Sequence, residues 1–145
     1  MKVIFEDILP GEDEEIIIKC HDLHPDLINL LKKLKTQGVS LNGYVGSTVF
    51  RLNPADIYYI DTVDNKVFMY DESNVYESKQ KLYELEEALS VHDFVRVSKS
   101  VLINLRKIKS LVPTYSGRME IVLYNDEKIA CSRQYINDLK SLLGI

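Results

Sequence analysis

The chain has 145 residues, 46% hydrophobic and 28% charged, a balance that suits one globular domain with its own core and excludes general disorder and low-complexity architecture. Its net charge is −4, from 18 basic and 22 acidic side chains, which excludes a wholesale polycation. No apolar run approaches about 18 residues, so no membrane-spanning helix is predicted. The opening Met1-Lys2-Val3-Ile4-Phe5-Glu6-Asp7 lacks both the apolar core and the cleavage site of a secretory signal, so a cytoplasmic protein is expected.

In chain order, the first 41 residues read as strand, strand, helix. Lys2–Ile8 and Glu15–Cys20 are apolar and β-branched, and Pro10-Gly11 with the acidic run Glu12–Glu15 marks a turn between them. His24-Pro25-Asp26 opens a helix, with Pro at its first position and an acid in its first turn. Leu27, Leu30, Leu31 and Leu34 give it one apolar face, Lys32, Lys33 and Lys35 suit its C-terminal dipole, and Gly38 ends it.

From residue 42 the pattern changes to short strands. Gly43–Leu52 is strand-like with a bend at its glycines. Ile57–Thr62 and Lys66–Tyr70 flank the turn Val63-Asp64-Asn65, and Asn74–Glu77 is a further strand. Ser78 is placed to cap a helix running to Leu89, with Leu82, Leu85 and Leu89 inward. Phe94–Val97, Val101–Leu105, Ile108–Tyr115, Met119–Tyr124 and Lys128–Cys131 follow as strands. Ser132 then opens a last helix, whose face is Ile136, Leu139, Leu142 and Leu143, with Gly144 behind it. Strands and helices do not alternate, so a doubly wound parallel sheet is excluded. The expected fold is mainly β or α+β: small antiparallel sheets with short helices, preceded by the strand–strand–helix segment. Residues 1–41 and 42–145 are the two expected units.

No catalytic motif is present: no glycine-rich phosphate loop, no nucleophile elbow and no metalloprotease helix. His21, His24 and His92 form no ligand set with one another or with the cysteines, and read as surface or capping residues. Cys20 and Cys131 lie in apolar runs and read as buried reduced thiols. The expectation is therefore a non-enzyme without metal, cofactor or small-molecule substrate. Charge is informative once it is mapped. Between Phe94 and Met119 lie Arg96, Lys99, Arg106, Lys107, Lys109 and Arg118, with no Asp or Glu. A local basic stripe is the electrostatic footprint that nucleic acid requires, and an anionic protein surface would accept it too.

Phe94–Leu111 reads Phe-Val-Arg-Val-Ser-Lys-Ser-Val-Leu-Ile-Asn-Leu-Arg-Lys-Ile-Lys-Ser-Leu. This resembles the signature of the LytTR DNA-binding domain: an F-x-R-x-[HS]-[RK]-S strand and loop, an apolar run, Asn, and a basic segment. Asp56-Ile57-Tyr58-Tyr59-Ile60-Asp61 resembles the early strand of that family, Asn65-Lys66 falls in its following turn, Gly117-Arg118 in its later hairpin, and Ser132-Arg133 with Tyr135 and Leu139 resembles its closing segment. The resemblance spans roughly Leu41 to Leu143. Ser98-Lys99 stands where many members carry His-Arg or His-Asn, which bears on the base preferred. The chain also looks like small stand-alone members without a receiver domain.

The resemblance implies a transcriptional regulator that reads the major groove of promoter DNA through loops at one sheet edge, not through a helix-turn-helix. It assigns contacts to Asn65, Lys66, Ser98, Lys99 and Arg133, and it implies a membrane-protein inhibitor as partner. Residue chemistry adds candidates. Ser98 and Ser100 are short donors for phosphate oxygens, Arg96 is one strand alternation from Ser98, and Arg106, Lys107 and Lys109 continue the stripe along the DNA backbone. Alternatives are an internal ion pair for Arg96, a strand-end role for Asn104 and plain surface charge for Arg118. A homodimer on two half-sites is expected, with residues 1–41 as the dimer or partner surface. The rival is a protein-interaction module that uses the stripe for docking and binds no DNA; an RNA-binding β-domain ranks last, for want of a matching motif.

Overall fold

A computed structural model describes residues 2–35 and 41–145, with the side chains of all of these except 33–35. Helix α1 (Pro25–Lys35) is followed by strands β1 (Leu41–Val45), β2 (Thr48–Leu52), β3 (Tyr59–Val63), β4 (Lys66–Tyr70) and β5 (Val75–Ser78). Helix α2 (Leu82–Leu89) leads into β6 (Phe94–Ser98), β7 (Val101–Asn104), β8 (Ile108–Pro113), β9 (Met119–Leu123) and β10 (Lys128–Cys131), and helix α3 (Arg133–Leu143) closes the chain. Seven strands form one sheet in the order β2-β1-β5-β4-β3-β7-β6, and β10-β9-β8 form a second; every pairing is antiparallel. The expected class of small antiparallel sheets with short helices is the one observed.

The period-2 alternation of the strands divides the interior into two cores. Ile60, Met69, Tyr76 and Leu102 point to one face of the large sheet, where Leu82, Leu85 and Leu89 of α2 cover them. Tyr59, Val97 and Ile103 point to the other, against Ile121 and Leu123 of the small sheet and Ile136 and Leu139 of α3. The large sheet is thus the middle layer, and its strand ends carry the connecting turns. Asn104, only 1% exposed, ties the layers' connections: its Nδ2 donates to the Ile57 carbonyl at 2.9 Å and its Oδ1 accepts from Arg106 N at 3.0 Å. Its role is the strand-end one.

Several sequence expectations need correction. Lys2–Ile8 and Glu15–Cys20 form no strands. A turn closes between them, with Glu12 N donating to Leu9 O, but neither run has a ladder partner, and an extended segment without a neighbour leaves its backbone to water. Cys20 is consequently exposed, not buried, whereas Cys131 is buried. Gly43–Leu52 is a hairpin rather than one bent strand, because Gly46 takes a positive φ of +60° at its turn. Helix α2 begins after Lys81, not Ser78, whose Oγ instead accepts from Gln80 N. Ser132 does precede α3, but its side chain makes no cap bond. His92 is half-buried, its Nε2 shielded and without a hydrogen-bond partner. The Leu34 face and the Gly38 stop lie outside the described side chains and residues.

Two predictions follow from the packing. A Cβ at Gly43 would lie 2.6 Å from Tyr76 Cβ and 2.6 Å from Leu52 Cδ1, so Gly43→Ala is expected to cost about 1–3 kcal/mol in urea unfolding. Tyr59 and Tyr70 stack with centroids 4.2 Å apart, and Tyr70 Oη donates to Asp61 Oδ1 at 3.0 Å. Burial, assisted by the charges of Glu127 and Asp61, pushes the Tyr59 phenol up from 10.0 to about 12. The fold therefore favours the neutral phenol. That contribution is complete below pH 10.0 and disappears as pH rises through about 12. The urea midpoint should fall across this window, and by less in Tyr59→Phe.

Candidate nucleic-acid interface

The register collects three segments at one end of the strands. Asp64 and Asn65, at φ +50° and +63°, form the two-residue turn between β3 and β4, a turn type that Asp and Asn tolerate and that matches strand twist. Beside it lies the β6–β7 turn, because β7 pairs with β3 (Asp61 opposite Val101) and Thr62 N donates to Ser100 O at 2.9 Å. The β10–α3 junction joins them, since Ser132 N donates to Val97 O at 2.9 Å. Asn65, Lys66, Lys99, Ser100 and Arg133 are all exposed at this end, and Ser98 is half-buried. Among the described residues, Lys66, Lys99, Arg118 and Arg133 form no ion pair.

Arg118 belongs to the same group. Met119 sits opposite Cys131 in the β9–β10 ladder, so Arg118 flanks Ser132. Together Arg118, Ala130, Cys131, Ser132, Arg133 and Gln134 line an open cleft of about 410 Å³. The sequence left Arg118 open between the basic stripe and plain surface charge. Counting outward from the Asn125-Asp126 turn was the signal that sets it beside Ser132. Cys131 within the cleft wall is no reactive thiolate: burial pushes its thiol upward.

Arg96 faces inward instead of toward a ligand. A bulge between Arg96 and Ser98 interrupts the alternation expected from the sequence. Its Nε donates to Glu86 Oε2 of α2 at 2.5 Å, and its Nη1 donates to the Lys99 carbonyl at 2.6 Å. The guanidinium therefore ties the Ser98–Ser100 turn to the helix behind it. Ser98 Oγ stiffens the same turn by accepting from Ser100 N at 3.3 Å.

The rest of the basic stripe lies at the opposite end. β7 carries the chain about 10 Å away at 3.3–3.4 Å per residue. There Arg106 Nε meets Asp93 Oδ2 at 2.7 Å, Lys107 Nζ lies 4.8 Å from the centre of the Tyr58 ring, and Lys109 Nζ meets Asp126 Oδ1 at 3.2 Å. A window that is continuous in sequence is thus split. Lys99 and Arg118 stand at the exposed end with unpaired charge, while Arg106, Lys107 and Lys109 stand at the far end with partners.

The fold is shared with known proteins. The model of the LytTr DNA-binding domain family matches residues 47–144. The sensory transduction protein LytT of Bacillus subtilis is 31% identical over 101 residues, covering 70% of this chain and 42% of that one. LytT of Enterococcus faecalis is 23% identical over 111 residues, 77% and 45% of the two chains. An HTH-type transcriptional regulator of Staphylococcus aureus is 28% identical over 127 residues, 88% and 85%. This chain therefore spans less than half of the two LytT proteins but most of the staphylococcal one. The solved LytTr DNA-binding domain of a methyl-accepting/DNA response regulator from Bacillus cereus superposes with a TM-score of 0.69 at 22% identity, over 73% of this chain and 97% of that domain.

The Arg96 linkage has a testable consequence. Glu86→Gln keeps the shape at α2 but removes the charge that holds the guanidinium. It should weaken DNA binding by about 1 kcal/mol, roughly fivefold in Kd. The salt dependence of binding should stay unchanged, because no phosphate contact is removed. Fluorescence anisotropy across a salt series reads both quantities.

Proposed function

The chain belongs to the LytTr family of DNA-binding domains, and on that premise we propose that it is a sequence-specific transcriptional regulator that presents the Asn65–Lys66, Ser98–Ser100 and Arg133 segments to the major groove of duplex DNA. The observation that carries this reading is the gathering of four exposed, unpaired cations at one end of a chain of net charge −4. Two of them, Lys99 and Arg133, stand on segments whose backbones are hydrogen-bonded into one frame. Arg133 is in the first turn of α3, where free backbone amides add a site for phosphate. Arg and Lys donors reach guanine O6 and N7 in the major groove. Asn65, Lys66, Ser98, Ser100 and Arg118 are placed for flanking base or phosphate contacts. Arg96 acts from behind as a positioning residue, and Arg106 and Lys107 have no contact in this reading.

The name of the staphylococcal relative specifies a helix-turn-helix. Among the described residues of this chain no two α-helices are consecutive, so loops and a helix N-terminus are the reading elements. The rival, a stripe docking an acidic protein, is disfavoured because four of the six stripe cations, Arg96, Arg106, Lys107 and Lys109, are already engaged. We assign no catalysis to the chain and place it with its DNA in the cytoplasm. A homodimer on two half-sites and a membrane-protein inhibitor belong to the same reading, with the N-terminal segment as the surface open to them.

The test is a titration on DNA from the region upstream of the protein's own gene, after footprinting. Arg133→Ala and Lys99→Ala should each cost about 1–3 kcal/mol and relax discrimination at one base position. Lys66→Ala should weaken all sequences alike and lower the salt slope by about one. Wild-type affinity and specificity in both Arg133→Ala and Lys99→Ala would overturn the assignment.

A further inference from the structure

Residues 2–24 expose more apolar surface than a stable solvated arm accounts for. Val3, Ile4, Phe5, Ile8, Ile16 and Ile17 are between 46% and 93% exposed. With Leu9, seven large apolar side chains stand in water within residues 2–20. At roughly 60–120 Å² of transferable surface each, they offer on the order of 400–850 Å². A standard specific interface takes about 800 Å² from each partner. The segment also has the local chemistry of a hairpin. Its turn is closed by Glu12 N to Leu9 O at 3.1 Å and by Leu9 N to Glu12 Oε2 at 3.2 Å, with Gly11 at φ +96°. What it lacks is neighbours, since a lone two-stranded hairpin is marginal and three or more strands are needed.

We propose that residues 2–20 are a dimerisation arm, closing as a hairpin about the Leu9–Glu12 turn and continuing into a four-stranded antiparallel sheet with the same residues of a second copy. This rests on the regulator reading only in that a dimer then spans two half-sites. The partner is a second copy, not another protein, for two reasons. The apolar area matches half of a self-complementary interface. The charge also fits only a particular self-pairing: residues 2–24 carry two lysines against seven acids, and a two-fold antiparallel arrangement sends the two Glu12–Glu15 turns to opposite ends. It also brings Lys2 of each copy toward Asp7 of the other. The cationic end of the sheets stays uncovered, so the arm and the DNA surface do not compete. The open edge of β2, with Val49 52% exposed and Phe50 41% exposed, is the competing docking place, and the experiment separates the two.

Sedimentation velocity of the full chain should show a dimer at micromolar concentration. Phe5→Glu and Ile17→Glu should give monomers that lose only the far-ultraviolet strand signal of the arm and keep the cooperative melting of residues 41–145, since both side chains are exposed within one chain. Val49→Glu should remain dimeric. On footprinted DNA, the two arm variants should keep the affinity for a fragment with one half-site scrambled and lose roughly tenfold or more on the intact two-site fragment. A monomeric wild type, a dimer that survives both arm substitutions, or a dimer broken by Val49→Glu alone would each overturn the proposal. Loss of all DNA binding with the predicted oligomer changes intact would instead overturn the regulator reading and leave the arm standing.

Discussion

Two backbone hydrogen bonds, Thr62 N to Ser100 O and Ser132 N to Val97 O, hold the candidate surface together. Each links segments far apart in sequence, and neither uses a side chain. They fix the β6–β7 turn between the end of β3 on one side and the start of α3 on the other. Side chains at these positions are therefore free to vary while the frame persists. Ser98-Lys99 occupies that frame here, and the frame itself rests on strand pairing and on the bulge at Arg96–Ser98.

Concentrating like charge needs compensation elsewhere in a domain this small. The fold supplies it by sorting its cations. Arg106 and Lys109 are matched to Asp93 and Asp126 at one end, and Lys107 lies over the Tyr58 ring. Lys66, Lys99, Arg118 and Arg133 are kept at the other end without partners. Arg96 is the link between the two uses of charge. Its guanidinium is neutralised by Glu86, yet it points a second donor, Nη1, at the Lys99 carbonyl. The cation visible in the signature thus shapes the loop, while its neighbour Lys99 is left to meet a ligand.

Much of the architecture was legible because short-range chemistry determined it. Asp64-Asn65 announced a turn, the short apolar runs announced antiparallel strands, and α2 and α3 showed their apolar stripes. The site was only half legible. A run of six cations in sequence suggested one continuous stripe, but β7 and its flanking turns carry half of it to the other end of the sheet. Arg96 shares the α2 face with Phe94 by ordinary alternation, and the bulge that takes Ser98 out of step with it has no sequence signal comparable to a turn residue. Lys2–Ile8 and Glu15–Cys20 had the composition of strands, and composition records propensity, not the presence of a neighbour to pair with.

Those unpaired segments and the sparse cationic surface bear on one another. In the proposed reading a half-site is met by Lys66, Lys99, Arg118, Arg133 and a few short polar side chains, which is few charge contacts. Salt-dependent affinity scales with their number. Joining two copies makes the second half-site's binding intramolecular, and the gain comes from effective concentration without any added contact. In that reading the demand for a second copy arises at the cationic end of the sheets, and the surface proposed to meet it is the N-terminal arm, where the chain leaves apolar side chains uncovered.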